Sequence, residues 1–210
     1  MAPPRLRLRS AALTVAAVLA LSACGDRFVA PAAVVDGRKI SESSLEQALD
    51  ILLTDPQFAQ QAAGPEGEAG KKDLTRQELG FLIRREIAQE YADAHGIFAT
   101  PQDVDRAIQD AIAGLGGQSA FDQLLATRGL TLDMVRTILE QQVLLKKVQD
   151  AVVAERLGTS AAGADPQFQN DEFNRWLTDR LATADIVVNP RFGRFDPGSG
   201  NVQPVTSTAE

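Results

Sequence analysis

Four hydroxyl side chains set the frame of this chain. Ser41, Thr75, Thr100 and Thr131 each stand directly ahead of a stretch whose apolar residues recur at helical spacing. A Ser or Thr oxygen satisfies the free amides of a first helical turn, so four such caps predict four helix starts. At Ser41, Ile40 and Leu45 add a hydrophobic staple, and Leu45, Leu49, Leu52 and Leu53 form the stripe, which Thr54-Asp55-Pro56 ends. Thr75 to Glu78 reads as a capping box stapled by Leu74 and Leu79. Its helix carries Leu79, Leu82, Ile83, Ile87, Tyr91 and Ala94 on one face and stops at His95-Gly96. Thr100-Pro101-Gln102-Asp103 opens the next, with Val104, Ile108, Ala111 and Ile112 facing inward. After Gly114 to Gly117 a short helix forms around Phe121, Leu124 and Leu125 and closes at Gly129. Thr131 caps the longest helix, 132–157, whose apolar positions include Val135, Ile138, Leu139, Val143, Leu145, Val148 and Val152. That stripe is wider than one neighbouring helix would cover.

The remaining segments read as connections and edges. Residues 57–73, with Gly64-Pro65-Glu66-Gly67 and Gly70-Lys71-Lys72, predict a mobile loop. Gly158 to Pro166 is a Gly, Ala and Ser linker, and Phe168 to Leu181 a final helix with Phe173, Trp176 and Leu177. Asp36-Gly37 between short apolar flanks predicts a tight hairpin turn, and Asp185 to Asn189 a short strand limited by Pro190. Pairing of Val34-Val35 with Ile186 to Val188 would bring the two ends of the domain together. The expected architecture is mainly α, about six helices with short β-strands near both ends, over residues 33–195. Residues 196–210, rich in Gly, Ser, Thr and Pro, are expected to be a disordered tail.

The N-terminus carries an address. Arg5, Arg7 and Arg9 precede an apolar run from Ala11 to Ala23 that is too short to span a bilayer. The only cysteine, Cys24, follows directly, in Leu21-Ser22-Ala23-Cys24. Residues 1–23 therefore read as a signal peptide cut between Ala23 and Cys24, and 24–32 as a tether. A thiolate is the side chain best suited to accept a lipid, and two acyl chains, such as palmitate, are needed for a firm hold. The expected location is the extracytoplasmic face of the cell membrane, lipid-anchored. Removal of 1–23 takes three arginines and no acid, which moves the net charge from −7 to −10. So acidic a chain is a poor partner for nucleic acid and is not expected to hold anionic lipid through a polybasic surface.

Catalytic groups are scarce. The one histidine, His95, sits in a last helical turn, where its partial positive charge is favourable. One histidine and a committed cysteine exclude Cys/His zinc sites, and no metal or other cofactor is expected. No Gly-x-Ser-x-Gly elbow occurs, and Gly114 to Gly117 has neither the Lys-Ser/Thr nor the preceding strand of a phosphate loop. Asp103/Asp105 and Asp171/Glu172 lack the glycine and closing Glu of a calcium loop, and Glu86 with Glu90 reads as a solvated pair. The chain is expected not to be an enzyme. Most of Phe58, Phe81, Phe98, Phe121, Phe168, Phe173, Phe192 and Phe195 are expected in the core. Asn189 to Phe195, with two Phe and two Arg, reads first as a strand and turn packed on the helices, and second as a cationic lip for a peptide.

The order Ala33-Val-Val-Asp-Gly-Arg-Lys-Ile-Ser41, a capped helix, Leu79 to Glu86, Gly96 to Val104, and Phe121 to Thr131 resembles the N-terminal domain of SurA and PrsA-type chaperones. The resemblance runs from about Ala33 to Leu157, more loosely to the last helix and strand, and the Cys24 box matches the lipoprotein branch. It implies a fold related to the peptide-binding part of trigger factor. It also implies an ATP-independent chaperone for unfolded or newly exported polypeptides. In those families a parvulin isomerase domain usually follows the long helix. Here Gly158 to Pro166 stands in that place, and the parvulin site's histidines and cysteine have no counterparts. An adaptor lipoprotein with one folded partner, or an isomerase-related foldase, are the competing expectations.

Overall fold

The computed structural model describes residues 30–205. Strands β1 (Ala33–Val35) and β2 (Arg38–Ile40) form the expected hairpin, with Asp36 at φ 46° and Gly37 at φ 83°. Two consecutive positive φ values suit a type I′ turn, which matches the natural strand twist. β3 (Ile186–Val188) joins on the other side of β1, antiparallel, with Ala33 opposite Val188 and Val35 opposite Ile186. The pairing expected between the two ends of the domain is therefore present. The buried face of this sheet is Ala33, Val35, Ile40 and Val188.

Helix α1 (Glu42–Leu52) starts where the cap predicts: Ser41 Oγ accepts from the Ser44 amide at 3.0 Å, and Ile40 and Leu45 are both buried. The predicted loop is not a loop. Asp55 caps α2 (Pro56–Ala63), accepting from the Gln57 amide at 2.9 Å. Helix α3 (Gly67–His95) already begins at Gly67. Thr75 lies inside it and donates back to the Lys71 carbonyl at 2.7 Å, so it is not a cap. The glycines that suggested mobility serve close helix contact instead. A Cβ on Gly70 would lie 2.3 Å from the Gln61 carbonyl oxygen, and one on Gly67 2.6 Å from that of Ala62.

Beyond α3, the Thr100 capping box of α4 (Pro101–Gly114) is complete, with Asp103 Oδ2 accepting from the Thr100 amide at 3.0 Å. α5 (Gln118–Arg128) and α6 (Leu132–Leu157) follow, the latter capped by Thr131, which accepts from the Met134 amide at 3.2 Å. The linker from Gly158 is partly ordered as a 3-10 turn, Gly158–Gly163, before α7 (Pro166–Thr183). The described residues thus contain seven α-helices, α2 being the one beyond the six expected.

The disordered tail expected over 196–210 is corrected for 196–205, while 206–210 lie outside the described residues. β4 (Arg194–Asp196) and β5 (Asn201–Gln203) form an antiparallel hairpin, with Phe195 opposite Val202. Val202 inserts into the core against α3, and Arg84 Nη1 donates to the Gly200 carbonyl at 2.9 Å. At Gly193, φ 141°, a Cβ would lie 2.3 Å from the Gln203 carbonyl oxygen. One buried valine and a close-approach glycine order a segment whose composition reads as tail.

Three apolar clusters hold the body together. The first joins the sheet, α1, the N-terminal part of α3, Leu181 of α7 and Val202. The second joins Ala88 and Ala92 of α3 to Val148, Val152 and Val153 of α6 and Phe173 of α7. The third is small: Val104, Ile108 and Phe121, with Val135 and Leu139 of α6 packed against it. α3 and α6 link all three.

Candidate client-binding cleft

Helices α3 and α6 run side by side in the same direction. Arg85 donates to Gln141 at 3.0 Å near the middle, and further on Tyr91 donates its hydroxyl proton to Glu155 at 2.9 Å. Between these points Ala88 and Ala92, small enough for close approach, meet Val148 and Val152. Toward the N-terminal ends no core cluster joins the two helices among the described residues. Phe81, one turn before Arg85 on the same face of α3, is 46% exposed. On α6, Met134, Ile138 and Leu145 share the face of Gln141 by helical spacing. Met134 and Ile138 are half-buried and Leu145 is exposed, and among the described residues all three lie outside the three core clusters.

The end of α5 meets the start of α2. Arg128, the last residue of α5, donates to Asp55 Oδ2 at 2.9 Å, while the other Asp55 oxygen caps α2. Phe81 on α3 and Met134, Ile138 and Leu145 on α6 are the apolar side chains of the candidate cleft between these two helices. Where the helices converge, Ala88, Leu144 and Leu145 line a depression of about 200 Å³ together with the polar Arg85, Glu86, Gln89 and Gln141. Such a surface can receive apolar side chains of an extended peptide without selecting a particular sequence.

The residues considered for other chemistry have structural partners. His95 is exposed, stacks on Tyr91 with ring centroids 3.9 Å apart, and sets Nδ1 2.8 Å from the Tyr91 carbonyl oxygen. Burial, then the bond to Glu155, pushes the Tyr91 hydroxyl up to about 12. Glu86 pairs with Arg38, and Glu90 with Arg180 at 3.0 Å. Asp103 is held well below its ordinary value by the Lys147 ammonium, then by Thr100. Asp105 pairs with Arg136 at 2.7 Å, Asp171 accepts from Gln167, and Glu172 pairs with Arg175. Among the described residues no group of three or more His, Cys, Asp or Glu is arranged to hold a metal ion.

Asn189 to Phe195 packs back on the body: Phe192 and Phe195 contact the first cluster, and Arg191 pairs with Glu42 at 2.9 Å. Its structural reading holds. Of the phenylalanines, Phe121 and Phe173 are buried and Phe58, Phe192 and Phe195, half-buried, pack against the first cluster, so most take the core place expected, whereas Phe81, Phe98 and Phe168 are exposed. Ala94 also faces solvent; Ala92 is the core residue at that turn. Periodicity identifies the α6 stripe but not which part of it lacks a partner. Ala23 and Cys24, with the stretch read above as a signal peptide, lie outside the described residues, and among those described no helix is long and apolar enough to cross a membrane.

Comparison with known proteins identifies the family. Two relatives named Chaperone SurA match the chain. That of Saccharophagus degradans is 27% identical over 78% of this chain and 36% of its own length. That of Chromobacterium violaceum is 26% identical over 79% and 37%. The chain therefore spans little more than a third of the length of these relatives. A solved structure from work on PEB4 and Cj1289, described as SurA-like chaperones of Campylobacter jejuni, aligns over 60% of this chain and 43% of that one. Its identity is 20% and its TM-score 0.43. The family model of the SurA-like N-terminal domain matches residues 10–149. The chain belongs to the SurA-like N-terminal domain family.

Proposed function

We propose that this protein is an ATP-independent chaperone that binds unfolded or newly exported polypeptides in the cleft between α3 and α6, and that Cys24 anchors it by lipid to the extracytoplasmic face of the cell membrane. The observation that carries the reading is the apolar stripe of Phe81, Met134, Ile138 and Leu145, which no core cluster covers among the described residues. Burying one such side chain contributes about 1.5–3 kcal/mol, so several weak anchors give useful affinity without sequence selection. The family relationship supports the chaperone part, and the Leu-Ser-Ala-Cys24 box supports the anchor. The protein acts by binding rather than by catalysis. Suppression of aggregation of a chemically denatured model protein tests the first part. The chain at several-fold excess should hold the substrate in solution, and Phe81→Asn/Ile138→Asn should lose most of that effect. No suppression by the unaltered chain sinks the chaperone reading. Incorporation of radiolabelled palmitate, lost in Cys24→Ser, tests the second part.

A further inference from the structure

The strongest charge anomaly of this acidic chain lies beside the first core. Of its five lysines, Lys146 pairs with Asp150 and Lys147 with Asp103, while Lys39, on β2, has no carboxylate partner among the described residues and stands outside the cation cluster. Lys71 and Lys72 pair with no carboxylate among the described residues, and they stand together at an open cleft of about 290 Å³. Arg76 and Arg191 line the same cleft, with Glu68 the one acid among its lining residues. Arg76 is paired with Asp73 and Arg191 with Glu42, and the Arg191 guanidinium also lies 4.6 Å from the centroid of the Phe192 ring. Lys71 and Lys72 are therefore the cations left to recruit an anion, and the two arginines are held in place beside them.

The N-terminal segment enters the fold at the same turn. Asn189 donates its backbone amide to the Ala32 carbonyl at 3.0 Å and its side-chain amide to that of Pro31 at 3.5 Å. The same Asn189 accepts from the Arg191 amide at 3.2 Å, which fixes the turn bearing Arg191. Seven residue steps separate Cys24 from Pro31. Fully extended, they reach at most about 25 Å. If Cys24 carries the anchor, this cleft cannot leave the vicinity of the bilayer surface.

We propose that Lys71, Lys72, Arg76 and Arg191 form a docking surface for the phosphate-bearing headgroups of anionic membrane lipids, which seats the body on the bilayer beside its tether. The proposal rests on the anchored reading above. It runs against what net charge alone predicts, and the screening length decides the matter. At physiological ionic strength charges beyond about 8 Å are largely screened, so a bilayer meets the local cluster rather than the whole chain's negative charge. With this face down, the tether sets the height of the body and the lysines set its orientation.

The test uses the chain from residue 24 onward, which retains every described residue, with Cys24→Ser so that no lipid contributes. Co-sedimentation with phosphatidylglycerol vesicles should exceed that with phosphatidylcholine vesicles and fall as salt is raised. Lys71→Gln/Lys72→Gln should lower partitioning roughly 25-fold, about fivefold for each cation near an anionic surface. Lys146→Gln, on α6, should leave it unchanged. Equal partitioning onto the two vesicle types, or no effect of the double substitution, overturns the proposal. So does displacement by millimolar inorganic phosphate, which would mark a small-anion pocket instead. Because this chain carries no lipid, loss of vesicle binding and loss of palmitate incorporation at Cys24 are separate results.

Discussion

The two ends of the molecule are built to different depths. Around the sheet, Leu45, Leu74, Leu79, Leu82, Ile83 and Ile87 are all 1% exposed or less. In the α4–α5 lobe only Val104, Ile108 and Phe121 are buried, at 4–6%. Both regions are helical and both are capped by hydroxyl side chains, so local propensity does not separate them. What separates them is the number of elements that share each core. The first core draws on the sheet, α1, α3, α7 and the terminal hairpin, whereas the lobe has α4, α5 and one side of α6. A region with few shared contacts opens below the global unfolding energy. The contrast sets a deeply packed base against a thinly packed lobe.

The sharpest way to break the comparison is in the deep core. Leu79→Ala should cost about 2–5 kcal/mol and lower the midpoint of the whole thermal transition. A local effect confined to α3 would show that the first core is not the cooperative unit. In the lobe, Thr100→Ala removes a complete capping box and should cost about 1 kcal/mol. Hydrogen exchange should then speed up in α4 and α5 while the β1–β3 amides keep their protection; uniform acceleration would mean the two regions unfold together. A smaller effect is expected from Arg128→Ala, because an exposed ion pair contributes only about 0–1 kcal/mol. Its signature is positional: a greater distance between labels on α2 and α5, with stability nearly unchanged. Acid adds a fourth test. The carboxyl of Asp103 is depressed in the folded state by Lys147 and Thr100, so its stabilisation is complete above the ordinary aspartate value and fades as pH falls below about 4. Lobe amides should lose protection over that interval before the base does, and Asp103→Asn should remove the pH dependence of the difference.

The sequence was legible where one turn of chain decides the outcome. Ser41, Thr100 and Thr131 cap their helices as their neighbours predict, and Asp36-Gly37 turns as that pair should. It misled where distant packing overrides local chemistry. Thr75 looks like a cap, but Leu74 and Leu79 belong to one buried stripe that carries α3 back to Gly67. Val202 reads as part of a tail because the α3 residues that bury it lie far away in the sequence. Of the cleft, the α6 stripe could be read from its breadth. That Phe81 would face it could not, since this depends on where α3 and α6 part. The cation cluster joins Lys71 to Arg191 across the whole domain, and no local pattern marks such a pair.

The position of β1 has a mechanical consequence. It is the middle strand of its sheet, and the residue just ahead of it, Ala32, is bonded on both sides: its amide donates to Ile40 and its carbonyl accepts from Asn189. Tension arriving along the chain from its N-terminal side therefore loads two neighbouring strands together instead of peeling one from an edge. A body pulled through that segment would pass the force straight into its deepest core rather than shed one edge strand.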